Sequence, residues 1–345
     1  MYALIRRIIL IMVATCESWA VAQELFDVER LPEVAESSDE IRPQPEISQT
    51  RLLSSDERAP VRLSVQWAWS EPVRNQPATL GLNSEQLGLG VPLAIYDDGI
   101  WLALGSLQRT DVSTSAILPD SGLAFPEELW NISVGTMRIK TLSNGTQVGG
   151  MLQVGSASDR PFADIRDMTL TTLAFATVPY GPTDAWNFSL FYSPTSQTRF
   201  PLPGIAYVWR PSDWLQANIG LPASLDYRPT DSWHLMARFT PLTNLLVEGR
   251  YSFSGPWHLF GRYEIANETY WLDERLNSRD RFFMFDQRVS AGISRDLNRG
   301  FRLDAAAVYR FDRQFFQAES FFGDRQDVVQ VESGPGVWIQ LIWTR

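Results

Sequence analysis

The sequence predicts an all-β protein, an antiparallel transmembrane β-barrel of the outer-membrane type. Three observations carry that expectation. Residues 232–265 alternate apolar and polar side chains through three consecutive segments. One face of such segments is tipped with aromatic residues, out of thirteen tryptophans and nineteen phenylalanines in all. Beyond the N-terminal stretch, no segment is apolar enough for a helical membrane span. Period-two alternation marks a strand between two unlike environments, and in a barrel those are lipid outside and a polar lumen inside.

In the first segment Trp233, Leu235, Ala237 and Phe239 oppose His234, Met236 and Arg238. In the second, Leu245, Val247, Gly249 and Tyr251 oppose Glu248, Arg250 and Ser252. In the third, Trp257, Leu259, Gly261, Tyr263 and Ile265 oppose His258, Phe260, Arg262 and Glu264. A soluble β-sandwich shows the same alternation, with one face as core and the other in water. Segment length favours the membrane, since many runs approach the roughly 9–11 residues that a tilted spanning strand needs.

From the start of the chain, Arg6 and Arg7, the apolar run 8–14 and Ala20-Val21-Ala22 form an export signal over residues 1–22. A lipoprotein signal ending at Cys16 is the rival, with Thr15 a poor fit directly before the cysteine. Residues 23–60 are acidic, proline-interrupted and without periodicity, the composition of a disordered periplasmic tether. The barrel is expected over 61–345. It opens with Val61, Leu63, Val65, Trp67 and Trp69 on one face. Leu87, Leu89, Val91, Leu93 and Ile95 follow, with Pro92 an awkward residue for a central strand. Asp97-Asp98-Gly99 and Asn144-Gly145 are tight hairpin turns, and a long loop precedes Leu129. Arg210-Pro211-Ser212-Asp213 and Arg228-Pro229-Thr230-Asp231 repeat one turn signature.

Strand counting gives about fifteen, whereas bacterial barrels have even numbers and short turns at one end. A short extra strand near Ser224–Arg228 restores the phase and makes about sixteen, while chain length alone fits about fourteen. The expectation is an even number, about fourteen, within a range of 12–16.

The run Phe200-Pro201-Leu202-Pro203-Gly204-Ile205-Ala206-Tyr207, with Gly220-Leu221-Pro222 and Tyr227-Arg228-Pro229, resembles an uncharacterised family of bacterial outer-membrane β-barrels, a domain of unknown function. The resemblance spans about residue 61 onward and implies location and fold, with no activity. Many outer-membrane barrels end on an aromatic residue read by the barrel-assembly machinery; here Trp343 is followed by Thr344 and Arg345.

The net charge of −10 disfavours nucleic acid as a partner. No zinc spacing, phosphate loop or nucleophile elbow is present, so no metal and no cofactor is expected. The two histidines, His234 and His258, fall on the polar face near Ser232, Ser252 and Ser254. A membrane esterase is the remote alternative they leave open, and no enzymatic activity is expected. Asp159, Asp164 and Asp167 share a loop but lack calcium-loop spacing. The candidate functional face is the charged lumen lining of the C-terminal half: Arg238, Glu248, Arg250, Arg262, Glu264, Asp286, Arg288, Arg302, Asp304, Arg310 and Asp312. Near-balanced charge predicts a passive, weakly selective pore for small polar solutes, water-filled unless a loop or the N-terminal arm plugs it. A structural or adhesion barrel with functional external loops is the alternative.

Overall fold

The computed structural model describes residues 61–193, 200–240, 244–275 and 277–343. The expected signal, the tether and Cys16 lie outside these residues. Seventeen strands are formed: β1 Val61–Pro72, β2 Thr79–Tyr96, β3 Gly99–Thr114, β4 Glu128–Thr141, β5 Gln147–Ser158, β6 Met168–Tyr180, β7 Asp184–Tyr192, β8 Leu202–Ser212 and β9 Leu215–Gly220. There follow β10 Ala223–Thr230, β11 Trp233–Thr240, β12 Asn244–Ser254, β13 Trp257–Tyr270, β14 Arg281–Asp296, β15 Phe301–Ala318, β16 Gln326–Val331 and β17 Gly334–Trp343. From β1 to β15 each strand pairs antiparallel with the next one in the chain. β16 and β17 both run along β15, one above the other, so they are two halves of one stave. β17 then pairs with β1 from Val61↔Trp343 to Ala68↔Gly336. The result is a closed antiparallel barrel of sixteen staves with no free edge.

Sixteen is the even number that the short strand β10 makes possible, and β10 covers the Ser224–Arg228 segment. With it, connections 97–98, 142–146, 181–183, 213–214, 231–232, 255–256 and 297–300 all fall at the end that holds Val61 and Trp343. The repeated Arg-Pro signature makes the same bulged turn twice, closing Ser212↔Leu215 and Thr230↔Trp233 after equivalent register shifts. At Asn144-Gly145 the glycine takes φ 78°, the left-handed conformation this turn needs. Pro92 is accommodated by a bulge between Pro92 and Ala94. That bulge reverses the parity beyond it: Ala94 pairs with outward Trp101, and Ile95 with Ile100.

The outward face is apolar and exposed, with Leu235, Val247, Leu259, Val289, Ile293 and Ile339 among its residues. Near the short turns it carries an aromatic girdle, with ring pairs Trp186–Tyr207 at 5.1 Å, Trp214–Tyr227 at 5.6 Å, Trp233–Tyr251 at 4.9 Å and Phe301–Trp343 at 6.2 Å. Amphipathic rings at that level are what a membrane–water interface selects.

The ring is pinched rather than round. β5 and β13 stand opposite one another, yet Ser158 and Trp271 form a parallel bridge across the loop end. Trp271 N–H donates to Ala157 O at 2.8 Å, Asp159 N–H donates to Trp271 O at 3.2 Å, and Asp273 N–H donates to the Asp159 carboxylate at 3.0 Å. On one side of this seam the interior is filled. The loop 115–127 folds inward, and its Phe125 packs edge-on against Phe282 of β14 and Phe315 of β15 at 5.4 and 5.5 Å. Leu80, Leu118, Leu129, Tyr270 and Val329 complete this buried apolar cap.

Candidate functional site

Beneath the cap the interior is polar. β11 to β15 and β17 each present every second residue inward, which brings most of the predicted charges together. Glu248 accepts from Arg250 at 3.0 Å and from Arg262 at 2.9 Å. Asp286 accepts from Arg288 at 2.7 Å and Arg310 at 3.1 Å, while Gln66 on β1 accepts from both arginines. Arg302 lies 3.4 Å from Asp304, and Arg250 lies 4.0 Å from it. Arg262 also stacks on Trp338 at 4.6 Å. These groups are covered rather than bathed: the side chains of Glu248, Asp304 and Arg310 are 6%, 0% and 5% exposed. Opposite charges inside a low-dielectric interior neutralise one another, so this cluster is a brace between staves.

Asp312 departs from the predicted interior set. β15 bulges there, with Phe285 paired to Gln314 but Gln287 to Phe311, and Asp312 has φ 51°. The extra residue turns the parity over, so that Arg313, Phe315 and Gln317 are buried inside. Asp312 lies exposed on the other face, accepting from Gln287 at 3.1 Å and Gln314 at 2.9 Å.

Arg238, Glu264 and Arg288 border an open space instead. A cavity of about 350 Å³ lies between β1–β3 and β11–β14, lined by Ser64, Gln66, Ser84, Gln86, Gln108, Arg238, Glu264, Glu268 and Arg288 among others. Gln108 donates to Glu268 at 2.8 Å across this space, and Tyr270 from the cap donates to the same carboxylate. The amide and hydroxyl wall from β1 to β3 was not singled out in the sequence, where Gln66, Gln86 and Gln108 look like ordinary polar positions of alternating strands.

The histidines separate. His234 Nε2 meets Asp226 at 3.1 Å. His258 lies between Ser252 Oγ, 2.8 Å from Nδ1, and Asp296, 2.9 Å from Nε2. Asp296 stands 38 residues beyond His258, on β14, and no sequence spacing announces it. The three loop aspartates take separate roles. Asp159 closes the seam, Asp164 caps the turn 165–167 and binds Arg166, and Asp167 meets Arg275 at 3.5 Å. Burial pushes the Asp159 carboxyl above its ordinary value, whereas Arg166 holds Asp164 down to about 2. Among the described residues no group of three or more side chains has the arrangement of a metal site.

A closed barrel with an apolar exterior, aromatic girdle and polar interior defines the class: an outer-membrane-type β-barrel. No protein-family model matches the chain. No curated protein matches it either. Among solved structures it is similar to the β-domain of the Bordetella autotransporter BrkA, at 10% identity and TM-score 0.33, over 84% of this chain and 100% of that one. It is similar to an outer-membrane channel from Pseudomonas putida, at 10% identity and TM-score 0.36, over 83% and 95%. The toluene transporter TodX of Pseudomonas putida matches at 10% identity and TM-score 0.39, over 83% and 89%.

Proposed function

We propose that the protein is an outer-membrane channel for small polar solutes, exported through residues 1–22 and inserted by the barrel-assembly machinery, with residues 23–60 as a periplasmic tether. The observation that supports this reading is the polar cavity of about 350 Å³ inside the barrel, within the ~300–1,000 Å³ usual for small-molecule sites. Its lining mixes amides, hydroxyls and both signs of charge, so a solute entering it exchanges water for equivalent hydrogen bonds. Weak ion selectivity is expected. It follows from the two positive and two negative side chains, Arg238, Arg288, Glu264 and Glu268, that line the cavity together.

Purified protein in planar bilayers should give small ohmic steps with similar cation and anion permeability, and Glu264→Gln should move selectivity towards anions. Recovery of the native protein as a freely soluble periplasmic species would overturn the location. A folded, inserted barrel that stays silent even after deletion of residues 116–126 would overturn the channel. That outcome would favour a cell-surface structural or adhesive barrel, a reading supported by the height of β2, β3, β14 and β15. At 16–18 residues these exceed the roughly 9–11 that span a bilayer.

A further inference from the structure

We propose a second site at the short-turn mouth of the barrel, where Ser252, His258 and Asp296 form a hydrolytic serine centre for small water-soluble esters. The three residues come from three adjacent staves, β12, β13 and β14. Ser252 pairs with His258, and His258 with Ser294, so their inward side chains share one level, with Asp296 one step diagonal. One tautomer satisfies both contacts of the imidazole. Nε2–H donates to Asp296 at 2.9 Å, and Nδ1 accepts the Ser252 hydroxyl at 2.8 Å. That is the nucleophile, base and orienting carboxylate of serine hydrolysis, with the two ring nitrogens exchanged relative to the protease arrangement.

Two further features separate this set from a turn that merely ties off its polar groups. The imidazole is 15% exposed while the Asp296 carboxylate is 56% exposed, so the line runs from a sheltered base to an open mouth. Above it, Arg250 donates to the fully buried Ser294 at 3.1 Å, which fixes the floor on which His258 sits. The site faces the interior, not lipid, which restricts it to substrates arriving in water from the short-turn side.

In the first step Ser252 Oγ attacks the ester carbonyl carbon as its proton passes to His258 Nδ1. The tetrahedral adduct collapses, the bond to the alcohol oxygen breaks, and the alcohol leaves carrying that proton. Water then attacks the acyl-serine, His258 takes and returns a proton, and a carboxylic acid is released with Ser252 restored.

The full-length barrel, folded in detergent, should be treated with a fluorophosphonate probe and digested for peptide mass spectrometry. The expected result is an adduct on Ser252. It should be absent in Ser252→Ala, form about 100-fold or more slowly in His258→Asn, and be slowed to an intermediate degree in Asp296→Asn. Hydrolysis of p-nitrophenyl acetate should fall in parallel. Heat-modifiable gel migration establishes that each variant is folded. A folded wild-type barrel that takes no adduct on Ser252, or one whose labelling ignores His258→Asn, overturns the proposal. Neither readout depends on conductance, so this site and the channel reading stand or fall separately.

Discussion

At the scale of single residues, Glu248 shows how one inward carboxylate holds three staves. It accepts from Arg250 on its own strand and from Arg262 on the next, and Arg262 reaches across to Trp338. Glu248→Ala would leave the covered Arg262 without its counter-charge and Arg250 with only Asp304, 4.0 Å away. Removing one partner of a buried pair costs about 3–5 kcal/mol, so the denaturant midpoint of the folded barrel should fall sharply. Replacing all three by apolar residues of similar size should cost much less than the single change. Asp159 works with the opposite sign. Burial raises its folded-state pKa above the ordinary 3.8. The charged form is therefore the strained one, and the seam is weaker above the raised pKa and strengthens as pH falls through it. Asp159→Asn keeps an acceptor for Asp273 N–H without the charge. Protection factors for amide exchange at Trp271 and Asp273 should rise in that variant and lose the pH dependence that the Asp159 carboxyl imposes above 3.8. Asp164, held down to about 2 by Arg166, contributes above 3.8 and stops contributing as pH falls through about 2.

At the scale of strands, alternation was readable because each strand meets two unlike media along its whole length. Leu235, Val247 and Leu259 are exposed on the outside while Met236, Glu248 and Phe260 are buried inside. Arginine at Leu235 or Leu259 should destabilise the barrel by about 2–4 kcal/mol near the midplane. Arginine at the half-buried inward Thr171 should be far milder. Unfolding titrations in lipid vesicles compare them, and equal effects would mean that the faces are misassigned. Periodicity was blind wherever one residue was added. The bulges at Pro92 and Asp312 shift the register without any change in composition, and each moves the residues beyond it to the opposite face. It was equally blind to contacts between distant staves. Phe125 looks like one of several apolar residues of a long loop, and its partners Phe282 and Phe315 lie more than 150 positions away. The charged cluster was legible as inward, yet its burial was not, because burial depends on how far the ring is pinched.

At the scale of the whole molecule, sixteen staves enclose a wide water-filled lumen only when the ring is round. Here two opposite strands hydrogen-bond across the loop end, and the loop 115–127 fills the space on one side of them. That loop is clamped at two points. Gln76 donates to Ile117 O at 2.9 Å and accepts from Ile117 N–H at 3.0 Å. Asp327, 1% exposed, accepts from the N–H groups of Asp120 and Ser121, both at 2.8 Å, and from Gln317 at 2.8 Å. Beneath the clamps, Phe125 packs into the apolar cap against Phe282 and Phe315; in the channel proposed above it would be a hydrophobic constriction, which water wets poorly. Releasing the clamps should therefore change gating before it changes fold. Gln76→Ala combined with Asp327→Ala should raise the frequency and size of openings in planar bilayers, and Phe125→Ala should raise the open conductance. Glu248→Ala should lower stability without either effect, because its ion pairs brace the wall away from the stopper. If the clamp variants conduct as the wild type does while their loop becomes protease-sensitive, the constriction lies elsewhere, and the cap is a structural roof over the polar cavity.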